Sequence, residues 1–266
     1  MNFQDAIRAV RQWGPFIART AGYGTLSIVA GPFTPDHSAS TWAMRRWCKQ
    51  SARALDITID VAGTENVPAD SSFVYCSNHQ SMLDILVLGA VLPGDFKWAA
   101  KRELMRIPFL GWHLRLAGHV PVDRGKGPKA AMKIIERFVD VLHAGKPLLV
   151  FPEGTRSADG VLKAFKPGGF VAAVRANKPV VPVALDGSWQ LMDNGSVGSM
   201  RHVKVRVGRP IMPKTEGSES DRVEDLRERA YASVAEMLVS VGGRVPESTP
   251  QSNAPGGDGV SLGAHP

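Results

Sequence analysis

From residue 55 onward the spacing of apolar residues switches repeatedly between strand and helix patterns. Short alternating or continuous apolar runs, typical of strands, cover residues 56–61, 73–76, 96–100, 119–122, 148–151, 180–185 and 202–207. Apolar residues recur at helical spacing over residues 84–91, 103–116, 129–143, 169–176 and 221–241. Pro108 should interrupt the second of these helices, because proline has no backbone N–H to donate. Strands that alternate with helices predict an α/β fold in which a mostly parallel or mixed central sheet is flanked by helices.

The first 50 residues have a different pattern. Apolar residues recur at helical spacing over residues 3–17, with arginines among them. Residues 14–33 are mainly apolar but contain an arginine, several glycines and two prolines, whereas a membrane-crossing helix needs roughly 20 mainly apolar residues. Residues 41–50 place two tryptophans beside arginine and lysine, a combination suited to a helix in the membrane interface. We therefore expect a membrane-associating helical pair, either spanning or interfacial; two helices packed on the domain are the alternative.

Three parts follow from these patterns. Residues 1–52 form the N-terminal helices, and residues 53–244 form one α/β domain that is long enough to bury a core without disulfides. Residues 245–266 are rich in proline, glycine and serine and contain little that could be buried, so this tail is predicted to be disordered.

Composition narrows the location and the partners. Cys48 and Cys76 are the two cysteines of the chain, which favours free thiols in a reducing compartment. No cleavable signal pattern is found near the acidic Asp5, so the functional part is expected to face the cytosol. The net charge of +7 indicates either solubility or an anionic partner: a phosphate ester, an anionic lipid or nucleic acid.

Several function classes lack their sequence signatures. His113 and His119 are not accompanied by a metal-ligand spacing. The chain has no phosphate-binding P-loop and no dinucleotide glycine motif. Aromatic and basic residues are not interleaved as base stacking requires, and no nucleic-acid partner is predicted.

The first candidate for chemistry is the pair His79 and Asp84. The predicted strand at 73–76 ends just before them, and Ser81 to Asp84 matches the capping-box pattern of a helix start. An imidazole held by a carboxylate has a fixed tautomer and a stabilised protonated form, as a general base for an alcohol requires. The alternative is that Asp84 only caps the helix and His79 only binds backbone.

Two neighbouring residues are candidate nucleophiles. Cys76 is the last residue of the predicted strand and is expected to point into the core. Ser77 lacks the Gly-x-Ser-x-Gly turn that exposes a nucleophile. Direct attack by a substrate hydroxyl is therefore favoured over a covalent intermediate.

A second candidate segment, residues 151–157, follows a predicted strand, where open α/β sheets bind their ligands. Gly154 allows close approach of backbone to a ligand, Thr155 adds a hydroxyl, and Arg156 offers a bidentate fork for phosphate. Glu153 is expected to orient Arg156. The alternative is a surface turn with an Arg–Glu pair.

Further cations extend this candidate phosphate site. Lys166 lies just before the predicted helix that begins at Gly169, and a helix N-terminus favours anions. Arg124 follows another predicted strand and is a second phosphate-clamp candidate, with Asp123 as the residue that could position it. A solvated charged loop is the alternative for this segment.

Taken in order, five segments of the chain resemble the 1-acyl-sn-glycerol-3-phosphate acyltransferase family. The resemblance spans roughly residues 65–190. The matching segments are Asn78-His79 through Asp84, Lys101-Arg102-Glu103-Leu104 with Ile107-Pro108-Phe109-Leu110-Gly111, Gly118 to Arg124, Phe151 to Ser157, and Val180-Val181-Pro182-Val183.

The resemblance implies a reaction and its residues. His79 would be the general base on the acceptor hydroxyl and Asp84 would orient it. The hydroxyl would attack the thioester of acyl-CoA or acyl-carrier protein, giving phosphatidic acid from a lysophospholipid. The predicted substrate-binding residues are Lys101, Arg124, Glu153, Gly154, Thr155, Arg156 and Lys166.

The resemblance also implies partners and a location. It implies no metal and no bound organic cofactor, with acyl-CoA or acyl-carrier protein serving as the donor substrate. The lipid bilayer is an expected partner, and the protein is expected to be membrane-associated at the cytoplasmic face. Another lysolipid or glycerol-phosphate acceptor is an alternative, as is a non-enzymatic basic module that docks on anionic membranes.

Overall fold

The computed structural model describes residues 3–34, 38–69, 72–122, 127–193, 196–198 and 200–247. The helices are α1 (Phe3–Ala30), α2 (Ser38–Ala54), α3 (Asp84–Val91), α4 (Leu110–Leu116), α5 (Gly127–His143), α6 (Gly168–Arg175) and α7 (Glu219–Ser240). The strands are β1 (Thr58–Ala62), β2 (Val74–Ser77), β3 (Lys97–Lys101), β4 (Val120–Val122), β5 (Leu148–Val150), β6 (Val180–Asp186), β7 (Met192–Asp193), β8 (Ser196–Val197) and β9 (His202–Val207).

Seven strands form the central sheet, in the order β1-β9-β6-β2-β5-β3-β4. Strands β6, β2, β5, β3 and β4 are parallel to their neighbours in this run. Strand β9 is antiparallel to β6 and parallel to β1, so the sheet is mixed. The predicted α/β fold with a mostly parallel or mixed sheet is confirmed. The central strands β2 and β5 are buried throughout, which explains their continuous apolar runs.

The sheet separates two apolar layers. Alternate residues of β2 point to opposite faces: Tyr75 joins the cluster that contains α2 and α3, whereas Val74 and Cys76 join the cluster that contains α5, α6 and α7. Helices therefore cover both faces of the parallel strands, as a sheet of this kind requires. Both cysteines are free and buried.

The N-terminal helices pack on this domain. Helix α1 continues through Pro15, although the glycines and prolines of this segment predicted interruptions. The aromatic rings of Phe16 in α1 and Trp47 in α2 lie 5.6 Å apart. Helix α2 buries Ala43, Met44, Cys48 and Ala52. None of the helices in the described part of the chain is both long and apolar enough to cross a membrane.

The predicted helix over residues 103–116 is divided, as Pro108 indicated. A 3₁₀ helix covers Arg102–Arg106, and α4 begins at Leu110. Between them Phe109 has a positive φ of 61°, and the N–H of Leu110 donates to the carbonyl of Pro108 at 2.7 Å. This three-residue turn reverses the chain before α4. The predicted disordered tail lies, from residue 248 on, outside the described residues.

Candidate active site

The predicted site residues lie at one edge of the sheet. Strands β2, β5 and β3 are adjacent and parallel, and they end at Ser77, Val150 and Lys101. The loops after β2 and β5 carry His79 and the segment 151–157. Because the carboxyl ends of parallel strands meet at the same edge, distant parts of the sequence are brought together here. Arg124 was predicted to follow β4 at this edge, but it lies outside the described residues.

His79 and Asp84 form a hydrogen-bonded pair. Nδ1 of His79 lies 2.7 Å from Oδ2 of Asp84. The Asp84 side chain is fully buried, whereas the His79 side chain is 12% exposed. The same carboxylate oxygen accepts from the backbone N–H groups of Gln80 at 2.7 Å and Ser81 at 2.9 Å. Three donors therefore fix the carboxylate that holds the imidazole.

The helix that carries Asp84 begins differently from the predicted capping box. Helix α3 starts at Asp84, not at Ser81. Ser81 Oγ accepts from the N–H of Leu83 at 3.3 Å instead of capping the N–H of Asp84. The acidic half of the box is present, because Asp84 accepts from Ser81 N–H. Asp84 is therefore more than a cap, since its carboxylate also binds the His79 ring.

Other groups hold the His79 loop in place. The side-chain amide of Asn78 donates to the carbonyl of Leu185 and accepts from its N–H, both at 2.8 Å, which fastens the loop to β6. The His79 ring stacks on Phe151 with ring centroids 4.1 Å apart and an interplanar angle of 19°. The carbonyl of His79 accepts from Ser157 N–H at 2.7 Å. The sequence motifs contain Asn78 and Phe151, but spacing alone assigned them no role, because their partners are distant in sequence.

Glu153 lies beneath the His79 loop. It is 3% exposed, and its Oε1 accepts from the N–H of His79 at 2.9 Å. Its Oε2 has no hydrogen-bond partner among the described residues. The expected pairing of Glu153 with Arg156 is therefore wrong: the carboxylate is buried, while Arg156 is exposed on the same loop. Burial raises the pKa of Glu153 to about 7.

Gly154 and Lys166 are in close contact. Gly154 has a φ of +71°, and a Cβ at this position would lie 2.8 Å from the Nζ of Lys166. The Lys166 side chain therefore passes over the backbone of Gly154, and the positive φ at this position favours glycine. Thr155, Arg156 and Lys166 are all exposed. The loop between β5 and α6 thus presents the cationic side chains of Arg156 and Lys166 to solvent.

The remaining predicted residues have simpler environments. Lys101 is exposed at the end of β3 and lies 3.6 Å from Glu103. Cys76 is fully buried, as predicted, and burial raises the pKa of its thiol. Ser77 is also buried, and its hydroxyl donates to the carbonyl of Asn78 at 3.0 Å. Neither side chain is presented as an accessible nucleophile. Within the described ranges no group of three His, Cys, Asp or Glu residues is placed to hold a metal ion.

This fold and site match a known class. Residues 58–186 match the family model described as Acyltransferase. A 1-acyl-sn-glycerol-3-phosphate acyltransferase of Pseudomonas aeruginosa is 30% identical over 246 residues, which cover 91% of this chain and 94% of that protein. The chain therefore belongs to the 1-acyl-sn-glycerol-3-phosphate acyltransferase family, as the sequence resemblance predicted.

Two further comparisons define how far the similarity extends. A chloroplastic 1-acyl-sn-glycerol-3-phosphate acyltransferase of Arabidopsis thaliana is 40% identical over 181 residues, 68% of this chain and 49% of that protein. This chain thus spans about half the length of that plant relative. The crystal structure of the 1-acyl-sn-glycerophosphate acyltransferase PlsC from Thermotoga maritima is similar with a TM-score of 0.73 and 25% identity. The match covers 88% of this chain and 96% of the Thermotoga maritima chain.

Proposed function

We propose that this protein transfers a fatty acyl group from acyl-CoA or acyl-carrier protein to the sn-2 hydroxyl of 1-acyl-sn-glycerol-3-phosphate, giving phosphatidic acid for phospholipid biosynthesis. The observation that carries the proposal is the 2.7 Å contact between His79 Nδ1 and the buried Asp84 carboxylate. The family membership and the names of the relatives support this choice of reaction and acceptor.

The pair has the properties of a general base. A carboxylate only accepts hydrogen bonds, so Nδ1 of His79 carries the hydrogen and Nε2 carries the lone pair. Nε2 takes the proton of the acceptor hydroxyl while the hydroxyl oxygen attacks the thioester carbonyl. When the tetrahedral intermediate collapses, the C–S bond breaks and the thiol takes the proton from His79. Asp84 stabilises the imidazolium that exists between these steps.

The acceptor phosphate is assigned to the loop after β5. Arg156 presents a planar fork and Lys166 a point charge, both exposed beside the positive-φ backbone of Gly154. Thr155 adds a hydroxyl, and Lys101 and Arg124 are assigned to the same site from the neighbouring strand ends. A phosphate bound there would be tethered to the hydroxyl that reacts, so binding would also orient the acceptor.

Membrane association is proposed from the distribution of exposed apolar side chains. Nine of the fifteen large exposed apolar side chains among the described residues lie in α1, α2, α4 and the segments next to them; these nine are Ile17, Leu26, Val29, Phe33, Trp42, Leu104, Ile107, Phe109 and Trp112. Helix α1 contacts both α2 and α4. Such a concentration marks a surface that meets another apolar phase. We assign it to the lipid bilayer, on the cytoplasmic side, where a lysophospholipid would be presented.

A thiol-release assay tests the proposed reaction. Purified protein would be given lysophosphatidate and acyl-CoA of several chain lengths, and carrier-protein thioesters in parallel. His79→Ala should lower the rate by about 100- to 10,000-fold, the range for loss of a general base. The matched control is His143→Ala, which changes an exposed histidine at the end of α5. Full activity of His79→Ala would end the mechanism.

The acceptor is tested separately. Lysophosphatidate should be the preferred acceptor over lysophosphatidylcholine and glycerol 3-phosphate. A higher rate with either of the other two would support the alternative acceptor. Binding to anionic vesicles without acyl transfer to any acceptor would support the non-enzymatic alternative.

A further inference from the structure

The carboxyl group of Glu153 lies under the catalytic loop rather than in the exposed cationic segment next to it. Its side chain is 3% exposed, whereas Thr155 and Arg156, two and three residues later, are exposed. Its Oε1 accepts from the backbone N–H of His79 at 2.9 Å across 74 residues of sequence. Glu153 thus contacts His79, the proposed base, from the side of the His79 loop that faces the core.

This placement is unsuited to contact with phosphate. An ionised carboxylate has only acceptor oxygens, as phosphate has, so the two groups repel each other unless a cation lies between them. Oε2 is buried and has no hydrogen-bond partner among the described residues, and Oε1 is used by His79. In its ionised form Glu153 is therefore not a phosphate donor, and the exposed Arg156 and Lys166 remain the cations assigned to that role.

The His79 backbone is fixed from two directions. Its N–H donates to Glu153, and its carbonyl accepts from Ser157 N–H at 2.7 Å. Both partners belong to the loop after β5, whose first residue, Phe151, stacks on the His79 ring. Loss of the Glu153 contact would leave the half-buried N–H of His79 without this partner. The ring position depends on this contact as well as on Asp84.

We propose that Glu153 is a positioning residue that acts through His79, fixing its backbone and adding a second negative charge beside the Asp84–His79 pair, and that it does not contact the acceptor. This inference rests on the proposed function, because His79 is taken there to be the base. It adds to that function a second carboxylate with a distinct role: Asp84 holds the ring, and Glu153 holds the backbone.

The charged and titratable groups around Glu153 come from β2 and the loop after it, from α3, from the loop after β5 and from α7. The pKa of Glu153 is raised to about 7, mainly by burial and to a smaller extent by the charge of Asp84. The His79 N–H and the ammonium group of Lys163 favour the ionised form. Cys76 of β2 and Tyr231 of α7 also face this carboxylate, and its charge raises the pKa of both. Glu153 therefore changes charge close to neutral pH.

The kinetic test separates the two roles. Glu153→Gln keeps an oxygen that can accept from His79 N–H but removes the charge. We expect the KM for lysophosphatidate to stay within about two-fold. The ratio of kcat between wild type and variant should rise from about one near pH 5.5 to about five- to ten-fold near pH 8.5. Arg156→Ala is the opposite control, with a raised KM. A raised KM with unchanged kcat in Glu153→Gln, or a ratio that is constant with pH, would overturn the proposal.

A second measurement is independent of activity. Histidine labelled with ¹⁵N would be followed by NMR in the wild type and in Glu153→Gln, and the His79 signal would be identified by its absence in His79→Ala. We expect the His79 signal of the wild type to change as Glu153 changes charge near pH 7, and we expect the variant to lack that change. The same pH dependence of the His79 chemical shifts in both proteins would contradict the proposal even if acyl transfer occurs. If no acceptor is acylated by the wild type, the proposed function fails, and this measurement still decides the role of Glu153.

Discussion

The loops at the carboxyl edge of the sheet differ from the helices α1, α2 and α4 in the kinds of side chain that they bury and expose. Asn78 and Glu153 in these loops and Asp84 at the start of α3 are buried polar side chains, and each forms a hydrogen bond with backbone. The helices leave large apolar side chains such as Val29 and Trp112 exposed, and Phe33, just after α1, is exposed as well. Buried polar groups are tolerated only when they are paired, whereas exposed apolar groups need no partner within the chain.

This difference distinguishes the part of the chain that is held by internal hydrogen bonds from the part that is proposed to contact lipid. Each of these buried side chains forms at least one hydrogen bond with backbone, so a change there should alter chemistry or folding. The exposed apolar side chains of the helices do little for the isolated fold, so a change there should alter only association with lipid. Variants of the two regions should therefore separate into two groups with different measurable effects.

The largest expected effect is that of Asp84→Asn. An amide at this position carries no negative charge, so it does not stabilise an imidazolium even when its oxygen accepts from Gln80 and Ser81 N–H as Oδ2 now does. We expect kcat to fall by about 100- to 10,000-fold with a smaller change in KM. Thiol release measures both constants. The control is Asp140→Asn, on the exposed surface of α5. A loss of less than about ten-fold would contradict the assigned role.

A smaller effect is expected for Arg156→Ala. The guanidinium is exposed and is assigned to the acceptor phosphate, so its removal should act on binding more than on the chemical step. Hydrogen bonds to charged groups are worth about 1.5–3 kcal/mol, which corresponds to roughly a 10- to 100-fold loss of kcat/KM, mainly through KM. Arg209→Ala changes another exposed arginine and should leave both constants unchanged. Equal effects of the two variants would indicate general charge rather than a phosphate site.

Gly89→Ala tests the junction between the two regions. A Cβ on Gly89 of α3 would lie 2.5 Å from Sγ and 3.3 Å from Cβ of Cys48 in α2. We expect destabilisation by about 1–3 kcal/mol, as for other overpacked core positions, measured by thermal or denaturant unfolding. The double variant with Cys48→Ala should be less destabilised than the sum of the two single variants, because the clashing sulfur is removed. Additive effects would show that α2 and α3 are not tightly coupled here.

Local patterns predicted the elements of the domain closely. Strand β9 and helix α3 begin and end at the residues that the apolar spacing indicated. Strand β9 buries one of its two sides and the short helix α3 buries most of its length, so each leaves a clear apolar pattern in the sequence. The order of the strands was not predictable in the same way. Strand β9 lies between β1 and β6, a pairing set by long-range packing rather than by neighbouring residues. Helix α1 continues through Pro15 and its glycines, since packing on α2 and α4 outweighs local propensity.

The site was predictable in its members more than in its contacts. The His79–Asp84 pair was predictable because the two residues are five positions apart at a strand end. Glu153 was predicted to be part of the site, yet its partner is the His79 backbone and not Arg156. The 74-residue separation of that contact leaves no periodic signal in the sequence. The motifs therefore indicated which residues belong to the site, whereas burial in the folded chain determined the partner that each of them contacts.

The smallest expected effects belong to the exposed apolar surface. Phe33 is 83% exposed and Trp112 is 48% exposed, so Phe33→Ser and Trp112→Ser should change unfolding free energy by no more than about 0.5 kcal/mol. Each should weaken binding to vesicles that contain anionic lipid by roughly five-fold, about 1 kcal/mol. Transfer to a short-chain, water-soluble lysophosphatidate should be unaffected, because these side chains are not assigned to the reaction. The matched control is Val239→Ser on α7, which is 59% exposed but lies outside the proposed membrane surface. If Val239→Ser releases the protein from vesicles as strongly as the other two, the apolar surface is not the membrane contact, and the contrast between the two regions would no longer hold.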